Sequence, residues 1–248
     1  MIVFKSPAEI ELMRRAGFVV WQALERVGQA IRPGITTLEL DAIAEETIRA
    51  AGAEPSFKGY HGYPASICVS VNEQVIHGIP GDRKLAEGDI VSVDVGAVLD
   101  GYHGDSARTF AVGAVSSLAR KLMRVTEECL MAAIEVARVG MTLGDIGYAV
   151  QSHAESNGFS VVRDFVGHGI GRHMHEDPAV PNYGRPGQGR RLRPGMVLAI
   201  EPMVNAGSHG VEVLSDNWTA VTRDGSLSAH FEHTVAITEN GPVVLTLP

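Results

Sequence analysis

An internal repeat is the feature of this sequence that most restricts its fold. One set of residues recurs, in identical or similar form, 106 positions later: Arg32, Gly34, Thr36, Glu39, Leu40 and Gly52 are matched by Arg138, Gly140, Thr142, Asp145, Ile146 and Gly158. The segment Gly88 to Asp94 resembles Gly195 to Glu201 at an offset of 107. Two such halves, each with helices followed by strands, predict an α+β fold. We expect an antiparallel sheet flanked by helices, a pseudo-twofold axis, and a functional site between the halves.

The first helix has a well-marked beginning. Ser6 can cap it, a proline occupies the first helical position, and Glu9 stands at the spacing of a capping box. Apolar residues then recur at roughly helical intervals until a Pro-Gly pair interrupts them, which predicts a helix that ends near Arg32. A second helix is predicted to begin at Thr36 or Thr37.

Length and composition favour one domain that covers residues 1–248. The hydrophobic content of 45% is sufficient for a sizeable core. No apolar run approaches the ~18 to 20 residues of a membrane span, and charged residues interrupt the N-terminal stretch, so no targeting signal is expected. Two cysteines, Cys68 and Cys129, are too few for a disulfide framework and suit a reducing compartment. We therefore predict a cytoplasmic protein.

The net charge of −8 gives no general attraction to nucleic acid or to anionic membranes. One local exception is a glycine- and proline-rich loop that carries Arg185, Arg190, Arg191 and Arg193. Short charge runs are usually solvated, and we interpret this one as a solvent-exposed loop.

Two aspartates are predicted to face each other on a hairpin. An alternating strand contains Asp94, the dipeptide Asp100-Gly101 marks a turn, and the return strand contains Asp105. The spacing places Asp94 and Asp105 opposite each other or one diagonal step apart. Two such carboxylates repel each other unless a cation lies between them, although scattered acids on an exposed hairpin would give the same pattern.

Further ionisable residues lie in the second half. The segment VGHGIGRHMHEDP holds His168, His173 and His175, and we expect its glycines to give the His168 backbone flexibility and its ring room to approach a ligand. Glu201 ends an apolar run, and Glu232 precedes an apolar strand pattern. Carboxylates in such segments are costly unless they are paired or bound to a metal.

Together these residues have the composition of a two-metal site. Its five candidate ligands are Asp94, Asp105, His168, Glu201 and Glu232. Mixed oxygen and nitrogen donors suit Co, Mn, Fe or Zn, and two neighbouring divalent ions form the arrangement that hydrolytic enzymes use to activate water and polarise a carbonyl.

The strings HGDS, GHGIGR, EPMV and FEHT around these five residues resemble the pita-bread metallopeptidases. Within that superfamily, YHGYP at Tyr60 to Pro64 and SVNE at Ser70 to Glu73, leading to HGIP at His77 to Pro80, are similar to type I methionine aminopeptidases of the bacterial type. The resemblance covers nearly the whole chain. It implies a pita-bread fold and metal-dependent removal of the initiator methionine, with preference for a small second residue.

The resemblance also implies roles for individual residues. Glu201 would be a metal ligand and would carry a proton towards the leaving nitrogen. His175 would stabilise the carbonyl oxygen, and His77 would hydrogen-bond the scissile amide nitrogen. The walls of the methionine pocket would be Phe57, Tyr60, Tyr63, Cys68, His77, Met174, His175 and Trp218. Met174 departs from the family pattern, where an aromatic residue is frequent, and Phe57 stands where a small residue is common.

Two alternatives keep the fold but change the function. A proline-directed pita-bread aminopeptidase shares the metal ligands, although its usual large N-terminal domain has no counterpart here. A non-catalytic pita-bread module would bind peptides or proteins, but such modules lose ligands that this chain retains. The expected partners are peptides with N-terminal methionine and nascent chains, with transient ribosome contact implied by the latter, and the expected state is a monomer.

Overall fold

The computed structural model describes all residues, 1–248, and contains four α-helices and fifteen short strands. The helices are α1 Pro7–Ala30, α2 Thr37–Ala50, α3 Ser117–Val136 and α4 Leu143–Ser156. The strands are β1 Glu54–Pro55, β2 Ile67–Val71, β3 Gln74–Ile76, β4 Ile90–Leu99, β5 Tyr102–Ala111, β6 Ser160–Val161, β7 Gly167–Gly169, β8 Glu176–Val180, β9 Val197–Ile200, β10 Met203–Asn205, β11 Val211–Val213, β12 Ala220–Thr222, β13 Ser228–His230, β14 His233–Thr238 and β15 Gly241–Val244. A 3-10 turn at Tyr60–Gly62 lies between β1 and β2.

The predicted repeat is present in the local structure of the two halves. Thr36 caps α2 and Thr142 caps α4, and each cap forms a complete capping box with the acidic residue three positions later. Each threonine also forms an isolated antiparallel bridge, Thr36 with Lys84 and Thr142 with Arg191. The matching glycines adopt the same left-handed backbone, with φ of 90° at Gly34 and 89° at Gly140.

The first helix begins as predicted and ends slightly earlier. Ser6 forms the capping box with Glu9, and Pro7 is the first helical residue. The helix stops at Ala30 rather than near Arg32, because Ile31 is already extended, with φ −63° and ψ 121°. Arg32 precedes a proline, and a residue in that position disfavours the helical backbone conformation.

The strands form four antiparallel sheets rather than one continuous sheet. In the first half, β4 pairs with β5 along one edge and with β2 and β1 along the other. In the second half, the largest sheet has the order β15-β14-β9-β7-β8. Two three-stranded sheets, β13-β10-β6 and β11-β12-β3, complete the fold. The α+β class is confirmed, and the sheet is more divided than the sequence suggested.

Each half has its own hydrophobic core. One cluster of 19 buried residues joins α1 and α2 to β2 and β4. A second cluster of 26 buried residues joins α3 and α4 to β9 and β14 of the second half. Since each helix pair covers its own sheet, the opposite faces of the two sheets are free to meet at the centre of the molecule.

The halves meet along a seam, which we define as β5 together with residues 230–234. Ala107 and Glu232 exchange backbone hydrogen bonds, with N···O distances of 3.4 and 2.9 Å. Next to this pair, a threonine hydroxyl takes the place of a backbone group. Thr234 Oγ1 accepts a hydrogen bond from Asp105 N at 3.0 Å and donates one to Asp105 O at 2.8 Å. The seam therefore aligns residues of one half directly against residues of the other.

Two further expectations concern the surface and the thiols. The four arginines between residues 185 and 193 are exposed on a loop, as predicted. Cys68 and Cys129 are free and buried. None of the four helices combines the length and the apolar character that crossing a membrane would require.

Candidate metal centre

The aspartates of the first half lie one diagonal step apart on the predicted hairpin. Asp94 in β4 is opposite Ala107, and Asp105 in β5 is opposite Gly96. The turn residues Asp100 and Gly101 both have positive φ, 52° and 77°, as a tight two-residue hairpin turn requires. The diagonal arrangement places both carboxylates on one face of the hairpin.

The second half contributes an analogous pair. Ile200 is opposite His233 where β9 and β14 pair, so that Glu201 and Glu232 face each other one step beyond the end of the ladder. His168 is central in β7, opposite Ala199 of β9, and its Nδ1 lies 2.9 Å from the carbonyl of Gly169. All five predicted ligands thus come from strands or strand ends at the junction of the halves.

The glycines around His168 have a different role from the one predicted. Neither Gly167 nor Gly169 has a positive φ. A Cβ atom at Gly167 would lie 2.3 Å from Ala199 O, and one at Gly169 would lie 2.2 Å from Asp177 O. Glycine is needed here because β8 and β9 approach the β7 backbone closely, so backbone flexibility was the wrong explanation.

The acidic groups converge on a small volume. Asp105, His168 and Glu232 each present a ligand atom within 4.8 Å of the others. His168 Nε2 also lies 3.5 Å from Glu201 Oε1. Asp94 is not part of this three-residue cluster, but it lines the same cavity.

Three carboxylate oxygens in this volume are buried without a hydrogen-bond partner, namely Asp94 Oδ1, Asp105 Oδ1 and Glu232 Oε1. Burial, followed by the neighbouring carboxylates, raises the pKa of Asp105, Glu201 and Glu232 well above their ordinary values. Burial also lowers the pKa of His168 to about 3, and His175 adds to the effect. The His168 ring is therefore neutral, which is the form in which histidine binds a metal. Divalent cations would satisfy these oxygens and offset the repulsion, and the donor set fits them.

These residues form one end of a cavity of about 370 Å³. Every site residue predicted from the sequence lines it, together with His61: Phe57, Tyr60, His61, Tyr63, Cys68, His77, Asp94, Asp105, His168, Met174, His175, Glu201, Trp218 and Glu232. The two groups of residues inferred separately, metal ligands and pocket walls, therefore belong to a single site.

The two candidate catalytic histidines line the cavity and have different neighbours. The ring centroid of His175 lies 4.2 Å from that of His168, and its Nδ1 lies 2.8 Å from the Tyr60 hydroxyl. His77 has a left-handed backbone, φ 59°, and its ring meets Phe165 edge-on at 5.7 Å. Burial, with a smaller effect of His175, lowers the pKa of His77 to about 4.

Part of the cavity lining is apolar or aromatic. Phe57, Tyr63, Cys68 and Met174 belong to one buried cluster, and Trp218 packs against it with its ring 5.0 Å from that of Tyr63. The Tyr63 hydroxyl donates to the carbonyls of the buried backbone nearby, so this residue presents its ring rather than its hydroxyl to the cavity. Such a wall suits an unbranched, polarizable side chain.

The sequence interpretation missed two histidines and named a third, His173, to which it gave no role. His61 lines the cavity mouth and has an unusual positive φ of 48°. His230 is 1% exposed and lies beside Glu201 and Glu232. Its position two residues before Glu232, on the same side of an extended chain, was the signal available for it. His173 is exposed and does not line the cavity.

Comparison with known proteins identifies the family of this chain. Residues 11–239 match the model of metallopeptidase family M24. A methionine aminopeptidase from Clostridium perfringens is 60% identical over 100% of this chain and 99% of its own length. A methionine aminopeptidase structure from Thermotoga maritima has a TM-score of 0.98 and 52% identity, with complete coverage of both chains.

A prolidase structure from Pyrococcus horikoshii represents the proline-directed alternative. It has a TM-score of 0.81 and 25% identity, and the match covers 100% of this chain but only 64% of that one. The methionine aminopeptidases thus match more strongly and over their full length. The pita-bread fold is confirmed, and the chain belongs to metallopeptidase family M24, among the bacterial methionine aminopeptidases of type I.

Proposed function

We propose that this protein is a metal-dependent aminopeptidase that removes the initiator methionine from new polypeptides and prefers a small second residue. The observation that carries the proposal is the cavity itself. Its volume is about 370 Å³, and its lining contains both the five candidate metal ligands and an apolar wall. Close relatives named methionine aminopeptidase support the choice of substrate.

Asp94, Asp105, His168, Glu201 and Glu232 would hold two divalent ions, with Co, Mn, Fe and Zn as the candidates. When bound, these ions supply Lewis acidity and lower the pKa of water at the site. Glu201 is then suited to move a proton to the leaving amide nitrogen.

The protein's own side chains would orient the substrate. His175, held by Tyr60 at 2.8 Å, would donate to the carbonyl oxygen of the first residue. His77 would hydrogen-bond the scissile amide nitrogen. The wall formed by Phe57, Tyr60, Tyr63, Cys68, Met174 and Trp218 would receive the methionine side chain.

The proposal extends to context. Residues 1–248 act as one catalytic domain, because the proposed ligands come from both halves. The expected partners are peptides and nascent chains with a free N-terminal methionine, with transient ribosome contact, and the expected state is a cytoplasmic monomer. Two buried, unpaired thiols are consistent with a reducing compartment.

The test is turnover of Met-Ala-Ser and of Xaa-Pro peptides by protein that has been freed of metal and reconstituted with Co²⁺, Mn²⁺, Fe²⁺ or Zn²⁺. We expect metal-dependent release of methionine and little cleavage before proline. Preferential cleavage of Xaa-Pro would establish the proline-directed alternative. Peptide binding without turnover under every metal would establish the non-catalytic module.

A further inference from the structure

His230 occupies an unexplained position behind the two glutamates of the centre. Its Nε2 lies 3.9 Å from Glu201 Oε2 and 3.9 Å from Glu232 Oε2. The side chain is almost fully buried, and Nε2 has no hydrogen-bond partner. A buried nitrogen without a hydrogen-bond partner destabilises the fold, so such an atom calls for a function.

The backbone of His230 is held firmly in this position. Thr109 Oγ1 accepts from His230 N at 2.9 Å and donates to His230 O at 2.8 Å. The same hydroxyl oxygen lies 2.8 Å from Ser92 Oγ of the neighbouring strand. Because Thr109 and Ser92 belong to the first half, these bonds fix the backbone of His230 relative to β4 and β5.

The surroundings favour a hydrogen-bond donor over a sixth metal ligand. The group of mutually close ligand atoms consists of Asp105, His168 and Glu232 and does not include His230. The polar atoms that Nε2 approaches are one oxygen from each glutamate. Each lies about 1 Å beyond hydrogen-bond distance, so a small side-chain rotation of either glutamate would bring its oxygen within reach of Nε2.

We propose that His230 is a positioning residue whose Nε2–H donates to the carboxylates of Glu201 and Glu232 and fixes them in the orientation in which they hold the metal ions. Groups that hydrogen-bond to metal ligands commonly set ligand orientation and change metal affinity by roughly 10- to 100-fold when removed. The inference rests on the proposed metal centre but requires no particular substrate.

The test compares two substitutions at this position. His230→Leu removes the donor and keeps an apolar side chain, whereas His230→Gln retains an NH donor. Val235→Ala is the matched control, because Val235 is fully buried in the second core and its truncation costs stability without touching the carboxylates. Metal-free protein of each variant is titrated with Mn²⁺ by calorimetry, and kcat and KM are measured for Met-Ala-Ser.

We expect His230→Leu to weaken Mn²⁺ binding by about 10- to 100-fold and to lower kcat more than it raises KM. His230→Gln should recover most of both losses, and Val235→Ala should leave Mn²⁺ affinity unchanged. Wild-type Mn²⁺ affinity in folded His230→Leu, or equal losses in the Leu and Gln variants, would overturn the proposal.

A second measurement does not depend on the folding of any variant. In ¹⁵N-labelled wild-type protein, addition of the diamagnetic ion Zn²⁺ should slow the solvent exchange of the His230 Nε2–H, because the proton becomes engaged with the glutamates. Unchanged exchange at saturating Zn²⁺ would also overturn the proposal. If metal binding follows these expectations but Met-Ala-Ser is not cleaved, only the proposed function fails.

Discussion

The ammonium group of Lys5 lies 2.6 Å from Glu176 Oε2, and the two side chains are 3% and 7% exposed. Glu176 also accepts from His173 N at 3.2 Å. This pair therefore ties the N-terminal segment to the loop that carries Met174 and His175 into the cavity.

We expect Lys5→Met to destabilise the protein by about 3 to 5 kcal/mol, because it leaves a buried carboxylate without its partner. The loop should also lose order, so kcat should fall although Lys5 does not line the cavity. Urea unfolding and peptide kinetics provide the measurements. The double change Lys5→Met with Glu176→Gln should recover much of the stability, and strictly additive losses would argue against a coupled pair.

Divalent metals should stabilise the folded protein as well as support its turnover, because they neutralise carboxylates that repel one another when no metal is bound. We expect chelation to abolish turnover and lower the Tm, and Mn²⁺ or Co²⁺ at about 100 times its Kd to restore about 2.7 kcal/mol. In Asp94→Ala and Glu232→Ala the metal-induced rise in Tm should be much smaller. An equal rise in these variants would remove both residues from the proposed ligand set.

His77 and His175 should affect turnover without affecting metal binding, since each is assigned a substrate contact rather than a metal. We expect His77→Ala and His175→Ala to lower kcat by ~10² or more. Calorimetry with Mn²⁺ should give affinities close to that of the wild type. A loss of metal in either variant would make that histidine a ligand.

Phe57 and Met174 lie in the same buried cluster of the cavity wall, so their volumes should be coupled. Met174→Phe should harm cleavage of Met peptides by overfilling the wall, and the double change Met174→Phe with Phe57→Cys should restore it. The measurement is kcat/KM for peptides that begin with Met, norleucine or Leu. Norleucine should be accepted at the first position, and branched Leu should be a poor substrate. Strictly additive effects of the two changes would show that Phe57 and Met174 are not coupled.

The capping box at the beginning of α1 should make the free energy of unfolding depend on pH. The backbone hydrogen bond from Ser6, followed by the hydroxyls of Tyr102 and Ser6, lowers the pKa of Glu9 from 4.5 to about 2. A lowered folded pKa means that the stabilisation is present above pH 4.5 and is lost as the pH falls through about 2. The difference in free energy of unfolding between wild type and Glu9→Gln should therefore shrink over this window. A difference that does not change over this window would argue against the stabilising role of Glu9.

Much of the architecture was predictable because the relevant forces are local. Capping boxes at Ser6, Thr36 and Thr142 involve side chains three residues apart, and the Asp100-Gly101 turn sets the hairpin register. The sequence therefore predicted where α1 and α2 begin and placed Asp94 close to Asp105. The roles of the pocket residues, in contrast, depended on family resemblance.

What could not be predicted depends on contacts between distant segments. The close approach of β9 to Gly167 joins residues far apart in sequence. The sequence alone therefore does not distinguish the glycines around His168 from flexible ones. His230 was missed because its importance arises from Thr109, 121 positions away, which fixes it beside the glutamates. The first relation leaves no short-range pattern in the sequence, and the second leaves only the two-residue spacing between His230 and Glu232.

The seam between β5 and residues 230–234 links catalytic competence to the completeness of folding. Asp105 and Glu232 stand on opposite sides of it, and backbone bonds between Ala107 and Glu232 hold them in place. If either half unravels, the ligand set is divided and the remaining donors bind metal weakly. A partly folded or truncated chain would then be inert towards peptide bonds.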